Sequence, residues 1–162
     1  MDIKQEYLYN IDINDEFFDS LKLDYKDFEQ WYKNKALALV KAYVTFNEKN
    51  KIGSFLLLKV EDEKEDYTNF EKPFVPNIRL KVATFKVANS GKKIGQRYMQ
   101  IIIDEAIKNK VKEIYITVFA KQKELIKLFN EYGFVYKTIK KTKKSNGILE
   151  EELVLVKVMN GN

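Results

Sequence analysis

Hydrophobic and polar residues follow two different periods in the middle of the chain. Residues 80–87 alternate between the two faces of an extended chain and are rich in strand-forming side chains. From Ile94 onward the apolar residues recur three and four positions apart, which is the spacing of an amphipathic helix. Residues 89–91, which read Asn-Ser-Gly, are typical of a turn. The pattern therefore predicts a strand that leads through a short loop into a helix.

The same succession follows once more toward the C-terminus. Residues 113–119 alternate as a second strand, and residues 122–132 have the spacing of a helix that ends in Gly133-Phe134. A strand, a crossover helix and a parallel strand pack back onto one sheet with a right-handed connection. We therefore expect the two strands to be parallel and to belong to the same sheet.

Weaker patterns cover the rest of the chain. Alternation predicts further strands at residues 4–13, 41–47, 52–60, 134–142 and 148–158. Two helices are expected near the start, a short one capped by Asn14 or Asp15 and a longer one that begins at Asp24. The expected fold class is α/β, a mixed sheet of about seven strands with about four helices.

Residues 61–76 begin with an acidic run, contain both prolines and show no regular period, so they are predicted to form a loop. A loop of this length in a compact domain is functional or mobile, or it is a solvated acidic segment. No composition shift or repeat marks a boundary elsewhere in the chain. One domain is therefore expected over residues 1–162.

Composition limits the chemistry that the chain can perform. The sequence contains no cysteine and no histidine, which excludes disulfides, thiol nucleophiles, Ser-His-Asp triads and nearly all zinc sites. Carboxylates, tyrosines, lysines, backbone dipoles or a bound cofactor must carry any reaction. The net charge of +5 is low for a nucleic-acid-binding protein and is compatible with an anionic cofactor.

Neither a membrane span nor a targeting segment is expected. No apolar run reaches the roughly 18 residues that a transmembrane helix needs. The first ten residues lack the basic and apolar regions of a signal peptide. We therefore expect a cytoplasmic protein that makes no membrane contact.

The start of the predicted central helix is a candidate anion site. Free backbone N–H groups and the helix dipole favour negative charge at such a position. Gly95 would let a phosphate approach the backbone, and Lys92 and Lys93 add positive charge. The spacing matches neither the dinucleotide-binding fingerprint nor the P-loop. An ordinary turn with solvated lysines is the alternative.

With the second strand and helix in place, the chain resembles the GNAT superfamily of acyl-CoA-dependent N-acetyltransferases over about residues 28–157. In that family a loop of the type Gln/Arg-x-x-Gly-x-Gly/Ala binds the CoA pyrophosphate, and the helix after the next strand ends in Gly-Phe. The loop here matches the last glycine at Gly95 but has Ser90 and Lys93 in place of Gln/Arg and the first glycine. The resemblance implies a mostly antiparallel sheet with a central pair of parallel strands that splay apart.

The resemblance also implies a set of residues that bind acetyl-CoA. The backbone of Phe85, Lys86 and Val87 would pair with the pantetheine arm, and Gln122 stands where the family often has an asparagine that touches it. The pyrophosphate would lie on the residues that open the helix. These are Lys92, Lys93, Ile94, Gly95 and Gln96, with Arg97 as an additional cation.

The residues that would move protons depart most from the family. The position of the usual tyrosine acid is Phe129, and a phenyl ring has no proton to donate. Tyr132 and Tyr115 lie nearby in the sequence, although Tyr132 shares the apolar stripe of its helix, which favours a core residue over a catalytic one. Glu61 is the first candidate for the general base, with residues 150–152 behind it.

These features indicate an N-acetyltransferase that moves an acetyl group from acetyl-CoA to a primary amine on a protein, a peptide or a small molecule, as a monomer or homodimer. An alternative is a module that binds acetyl-CoA with little or no turnover and acts as a sensor or as a partner of a protein or nucleic acid. The lysines of residues 137–144 would then bind RNA or DNA, or they are solvated and discourage edge pairing. A Rossmann-type nucleotide-binding domain is a weaker alternative.

Overall fold

A computed structural model describes residues 2–88 and 92–160, without the side chain of Lys92. The strands are β1 (Lys4–Tyr7), β2 (Lys41–Phe46), β3 (Ile52–Glu61), β4 (Arg79–Val87), β5 (Glu113–Phe119), β6 (Val135–Lys143) and β7 (Leu149–Val158). The α-helices are α1 (Asp19–Asp24), α2 (Phe28–Leu37), α3 (Lys92–Lys108) and α4 (Lys123–Glu131). None of the helices in the described part of the chain is both long and apolar enough to cross a membrane.

The strands form a seven-stranded sheet with the order β1-β2-β3-β4-β5-β7-β6. β4 and β5 are parallel, from Arg79 opposite Glu113 to Val82 opposite Ile116. β5 pairs with β7 in the antiparallel direction along its whole length. The predicted α/β class, with a mixed sheet of about seven strands and about four helices, is confirmed. The parallel pairing of the two central strands is confirmed as well.

The first strand is shorter than the alternation predicts. It ends at Tyr7, and a short 3-10 helix, Leu8–Asn10, takes the place of the expected strand residues. The hydroxyl of Tyr32 on α2 donates to the carbonyl oxygens of Leu8, at 3.0 Å, and Ile11, at 3.3 Å. The carbonyl of Leu8 also accepts from the N–H of Ile11 at 3.0 Å, which closes the 3-10 helix in place of a strand ladder.

The chain divides into two compact units. The first contains Met1–Leu57, Thr84–Ser90 and Lys143–Leu149. Its core is aromatic, with the ring of Phe18 packed on those of Phe17, Phe28, Tyr32 and Phe55. The second contains Leu58–Ala83, Gly91–Thr142 and Glu150–Asn162. That the whole chain is a single domain stays a prediction.

The predicted loop before β4 belongs to the second unit and combines exposed acidic residues with buried aromatic ones. Tyr67 and Phe70 from this loop are buried against Tyr115 of β5. Its backbone also bonds to β6, where the N–H of Glu71 donates to the carbonyl of Ile139 at 2.8 Å. The solvated interpretation holds for the acidic residues Asp62, Glu63 and Asp66, which are exposed, but not for the aromatic residues that hold the loop on the sheet.

Candidate functional site

The first turns of α3 have the charge and exposure of an anion site. The first turn carries no acidic residue, and Lys93, Gln96 and Arg97 are exposed. Since the first N–H groups of a helix have no partner within the helix, this end is favourable for a phosphate. Residues 89–91 and the side chain of Lys92 lie outside the described residues, so the predicted register of the preceding loop stays a prediction.

Gly95 has a packing role that the sequence did not reveal. It is buried on the face of α3 that meets α4, and a Cβ atom at this position would lie 3.1 Å from Cδ2 of Leu128. Ile94 beside it is half-buried. Gly95 therefore allows α3 and α4 to approach closely. Its predicted contact with a phosphate stays a prediction.

The side chain of Lys86, near the end of β4, is hydrogen-bonded to residues of the first unit. Its Nζ donates to the carbonyl of Phe17 at 2.5 Å and to Oγ of Ser20 at 2.8 Å. Burial lowers the pKa of Lys86, and the carboxylates of nearby aspartates oppose this effect. Phe85 is buried and Val87 is half-buried. The predicted contribution of these three residues to the cofactor is through their backbone, and it stays a prediction.

The ladder between β4 and β5 ends before either strand does. Its last pair is Val82 with Ile116, while β4 continues to Val87 and β5 to Phe119. Side chains 114 to 119 of β5 are buried with the exception of Thr117, which is half-buried. Thr117 is the first residue of β5 beyond the ladder. A half-buried threonine therefore lies where the parallel pairing stops.

Helix α4 places the remaining predicted residues. Oε1 of Gln122 accepts from the N–H of Phe119 at 2.8 Å, which closes the turn between β5 and the helix. Phe129 is fully buried and its ring packs edge-on against Phe134 with 4.8 Å between centroids. Tyr132 is half-buried, and its carbonyl accepts from Nζ of Lys157 at 2.8 Å. The roles predicted for these residues stay predictions, and a direct contact between Phe129 and a cofactor would require its ring to leave the core.

Glu61, the predicted base, lies at the end of β3 in a closed hydrogen-bond network. Its Oε1 accepts from the hydroxyl of Tyr67 at 2.9 Å and from that of Tyr115 at 2.6 Å. Its Oε2 lies 3.7 Å from Nζ of Lys59. Burial, together with the hydrogen bond to the Glu61 carboxylate, raises the pKa of both tyrosines. Both therefore remain protonated donors.

A second carboxylate, Glu152 on β7, is completely buried. Its Oε2 accepts from Oγ1 of Thr117 at 2.9 Å, and its Oε1 accepts from Oγ1 of Thr142 on β6. From the sequence alone, residues 150–152 were predicted only as a group of candidates behind Glu61. The period-two pattern could have distinguished Glu152, because it is in phase with the buried Val154 and Val156. Thr117 and Thr142 carried no sequence signal of this kind.

The charge of Lys81 on β4 interacts with both of these carboxylates. It pairs in register with Tyr115, whose hydroxyl contacts Glu61. Burial lowers the pKa of Lys81, and the positive charges of Lys140 and Lys59 lower it further. Glu61 and Glu152 both act in the opposite direction. The second unit therefore holds a mixed group of buried and half-buried charges around β4, β5 and β7.

Comparisons with known proteins identify the fold. No family model and no curated protein match the sequence. Among solved structures, a ribosomal-protein-alanine N-acetyltransferase from Brucella melitensis is 16% identical with a TM-score of 0.67, over 98% of this chain and 100% of that chain. NAA60 from Arabidopsis thaliana, solved with a bisubstrate analogue, is 12% identical with a TM-score of 0.69, over 99% and 100% of the two chains.

A third solved structure is a putative acetyltransferase from Salmonella typhimurium with its cofactor acetyl-CoA. It is 11% identical with a TM-score of 0.64, over 100% of this chain and 96% of that chain. Identities at this level show a shared fold. The chain has the GNAT acetyltransferase fold, as the sequence resemblance implied.

Proposed function

We propose that this protein is an acyl-CoA-dependent N-acetyltransferase that moves an acetyl group from acetyl-CoA to a primary amine. The observation that carries the proposal is the strand–helix–strand arrangement of β4, α3 and β5. Its parallel ladder ends part-way along both strands, and its helix begins with exposed Lys93 and Arg97 and without an acidic residue. Similar solved proteins over nearly the whole chain are acetyltransferases, and one of them is described with acetyl-CoA.

The residues at the start of α3 fit the diphosphate of CoA. The free N–H groups of the first turn and the positive end of the helix dipole would face the phosphates, and Lys93 and Arg97 would add charge. Backbone groups of Phe85 to Val87 would hold the pantetheine arm, as in the predicted assignment. Acetyl-CoA would supply the activated acyl group, a thioester whose thiolate is a good leaving group.

The reaction also requires removal of a proton from the acceptor ammonium. Phe129 has no proton to donate to the leaving sulfur, so solvent or another hydroxyl such as that of Tyr132 would do so. Glu61 is the base that the sequence predicts. Its burial and its two tyrosine donors make Glu152, reached through Thr117, a competing candidate.

Binding of coenzyme A is tested by the thermal shift that a ligand of the folded state produces. We expect saturating CoA to raise the Tm of the wild type. We expect Lys93→Glu to weaken CoA binding by about tenfold or more, because it places a negative charge beside the diphosphate. Calorimetric titration with CoA gives the Kd of each variant.

The matched control is Lys108→Glu, which makes the same charge change on an exposed lysine at the other end of α3. Its Kd for CoA should stay within about threefold of the wild type. Equal loss in both variants would indicate a general effect of net charge and would move the site away from the start of α3. Substitution of Gly95 is unsuitable for this test, because a side chain there would meet Leu128.

Turnover is tested by thiol release from acetyl-CoA with a panel of primary amines, including peptides with free N-termini and small diamines. Release that depends on the amine, together with a product heavier by one acetyl group in mass spectrometry, is the expected result. Binding of CoA without amine-dependent release would favour the second candidate function, an acetyl-CoA-binding module. The observation in favour of that candidate is the buried phenyl ring of Phe129 at the position of the usual acid.

A further inference from the structure

The buried carboxylate of Glu152 connects to a more accessible position through a single hydroxyl. Its two oxygens bond two threonines on different neighbouring strands, Thr117 of β5 and Thr142 of β6. Thr142 is buried, whereas Thr117 is half-buried. Of these two threonines, Thr117 is therefore the one that a group outside the core can contact.

Thr117 lies at the point in the sheet where the parallel strands β4 and β5 stop pairing. It directly follows Ile116, whose pairing with Val82 is the last of the parallel ladder. The side chains of residues 114 to 116, 118 and 119 on the same strand are buried. A half-buried hydroxyl at the end of the ladder, bonded at 2.9 Å to a carboxylate without solvent contact, has the arrangement of a proton relay.

We propose that Thr117 and Glu152 together remove the proton from the acceptor amine. This inference rests on the proposed function. An N–H of the acceptor ammonium gives its proton to Oγ1 of Thr117 as the hydroxyl proton of Thr117 passes to Oε2 of Glu152. The neutral amine then forms the C–N bond to the acetyl carbon, and the C–S bond breaks with its electron pair on sulfur. The nitrogen loses its second proton to solvent or to the thiolate, and Glu152 returns its proton to solvent.

Glu61 is less suited to this step. One of its oxygens accepts two tyrosine hydroxyls and the other faces Lys59, and each tyrosine is buried. Neither tyrosine therefore offers its hydroxyl to an acceptor amine outside the core, whereas Thr117 is only half-buried. Thr117 is thus the catalytic residue of the relay, and Glu152 acts through it as a positioning residue and proton acceptor.

The test compares two threonines that bond the same carboxylate. Thr117→Val and Thr142→Val each remove one hydroxyl and leave a side chain of nearly the same shape. We expect Thr117→Val to lower kcat about 100-fold, within the range for loss of general base catalysis, with KM for acetyl-CoA unchanged. Thr117→Ser keeps the hydroxyl and should stay within about threefold of the wild type. Thr142→Val should lower the Tm but change kcat by less than about threefold.

The basicity of the acceptor gives a readout that a structural role would not change. An amine that is already neutral at the assay pH does not need a base. With an aromatic amine as acceptor, the loss in Thr117→Val should shrink from about 100-fold to less than about fivefold. A loss of equal size for both kinds of acceptor would overturn the relay and assign Thr117 to packing.

The outcomes separate this inference from the proposed function. An active wild type whose Thr117→Val variant keeps its rate, or whose Thr142→Val variant loses as much as Thr117→Val, overturns the relay alone. An active wild type that loses its rate in Glu61→Gln but not in Glu152→Gln assigns the base to Glu61 and overturns it as well. A wild type that releases no thiol with any amine of the panel overturns both proposals.

Discussion

Two buried glutamates lie against the same face of β5 and differ in what surrounds them. Glu61 contacts Tyr115 and Glu152 contacts Thr117, two residues further along the strand. Glu61 is enclosed by tyrosine hydroxyls and by Lys59. Glu152 instead meets a half-buried threonine where the parallel ladder ends. Burial alone therefore does not distinguish a structural carboxylate from a catalytic one.

The difference lies in how deeply the donors are buried. The two tyrosines that bond Glu61 are both buried. Thr117, which bonds Glu152, is half-buried, and its hydroxyl can accept from one group while it donates to another. We infer that Glu61 stabilises the loop before β4 and that Glu152 is the carboxylate connected to the reaction. Each inference has its own test.

The largest effect is expected from Glu61→Ala. The substitution leaves the hydroxyls of Tyr67 and Tyr115 without their acceptor in a buried place, and each such group costs about 1–3 kcal/mol. We expect a loss of about 3 kcal/mol in the free energy of unfolding, measured by urea denaturation with far-UV circular dichroism. The control is Glu65→Ala, which removes the other, more exposed carboxylate near Lys59 and should cost less than about 1 kcal/mol.

A smaller effect is expected from Tyr115→Phe, which removes one donor and keeps the ring. The cost should be about 1–2 kcal/mol near pH 7, because the lost hydrogen bond joins a hydroxyl to a charged group. The pKa of Tyr115 is raised in the folded state, so its hydroxyl contributes stability below the pKa of about 10 that tyrosine has in the unfolded chain. As the pH rises above about 10, the unfolded tyrosine ionises first and this contribution is lost.

The stability difference between the wild type and Tyr115→Phe should therefore be constant from pH 7 to 9 and decrease above pH 10. Urea denaturation at each pH measures it. Tyr67→Phe, the second donor to the same oxygen, should behave in the same way. A difference that grows with pH would show that the hydroxyl of Tyr115 is not held protonated by Glu61, and it would remove the contrast between the two carboxylates.

The elements of the fold were predictable because each depends on a local pattern. The change from alternation to helical spacing between residues 80 and 107 is visible within one window and does not depend on distant partners. The parallel pairing of β4 and β5 follows from the crossover helix between them. The first strand was wrongly extended, because the 3-10 helix that follows it is bonded by Tyr32, which lies 24 residues further along than Leu8.

The candidate site was less predictable, because its contacts join residues far apart in the chain. Glu61 and Tyr115 are separated by 54 positions, and Thr117 and Glu152 by 35. Which residues meet depends on strand register, which no period in the sequence specifies. Gly95 illustrates the same limit, since its neighbour Leu128 is on another helix.

The smallest effect, and the sharpest comparison, comes from Lys81→Met. Burial lowers the pKa of Lys81 in the folded state, so its charge destabilises the fold at neutral pH. The variant should therefore have a higher Tm than the wild type at pH 7. This advantage should disappear as the pH approaches about 10.4, the pKa of lysine in the unfolded chain. Lys137→Met, on an exposed position of β6, should show no such gain.

Lys81→Met also shows which of Glu61 and Glu152 has the larger effect on the charge of Lys81. Glu61 opposes the lowering of the Lys81 pKa more strongly than Glu152 does. The gain in Tm from Lys81→Met should therefore be larger in a Glu61→Gln background than in a Glu152→Gln background, because the first removes more of the stabilising negative charge. The opposite order in a double-mutant cycle at pH 7 would mean that Glu152 is the nearer anion. Protonation of Glu152 in the relay would then also lower the pKa of Lys81. The effect of Glu152 on turnover and its effect on Lys81 would have to be measured in the same variants.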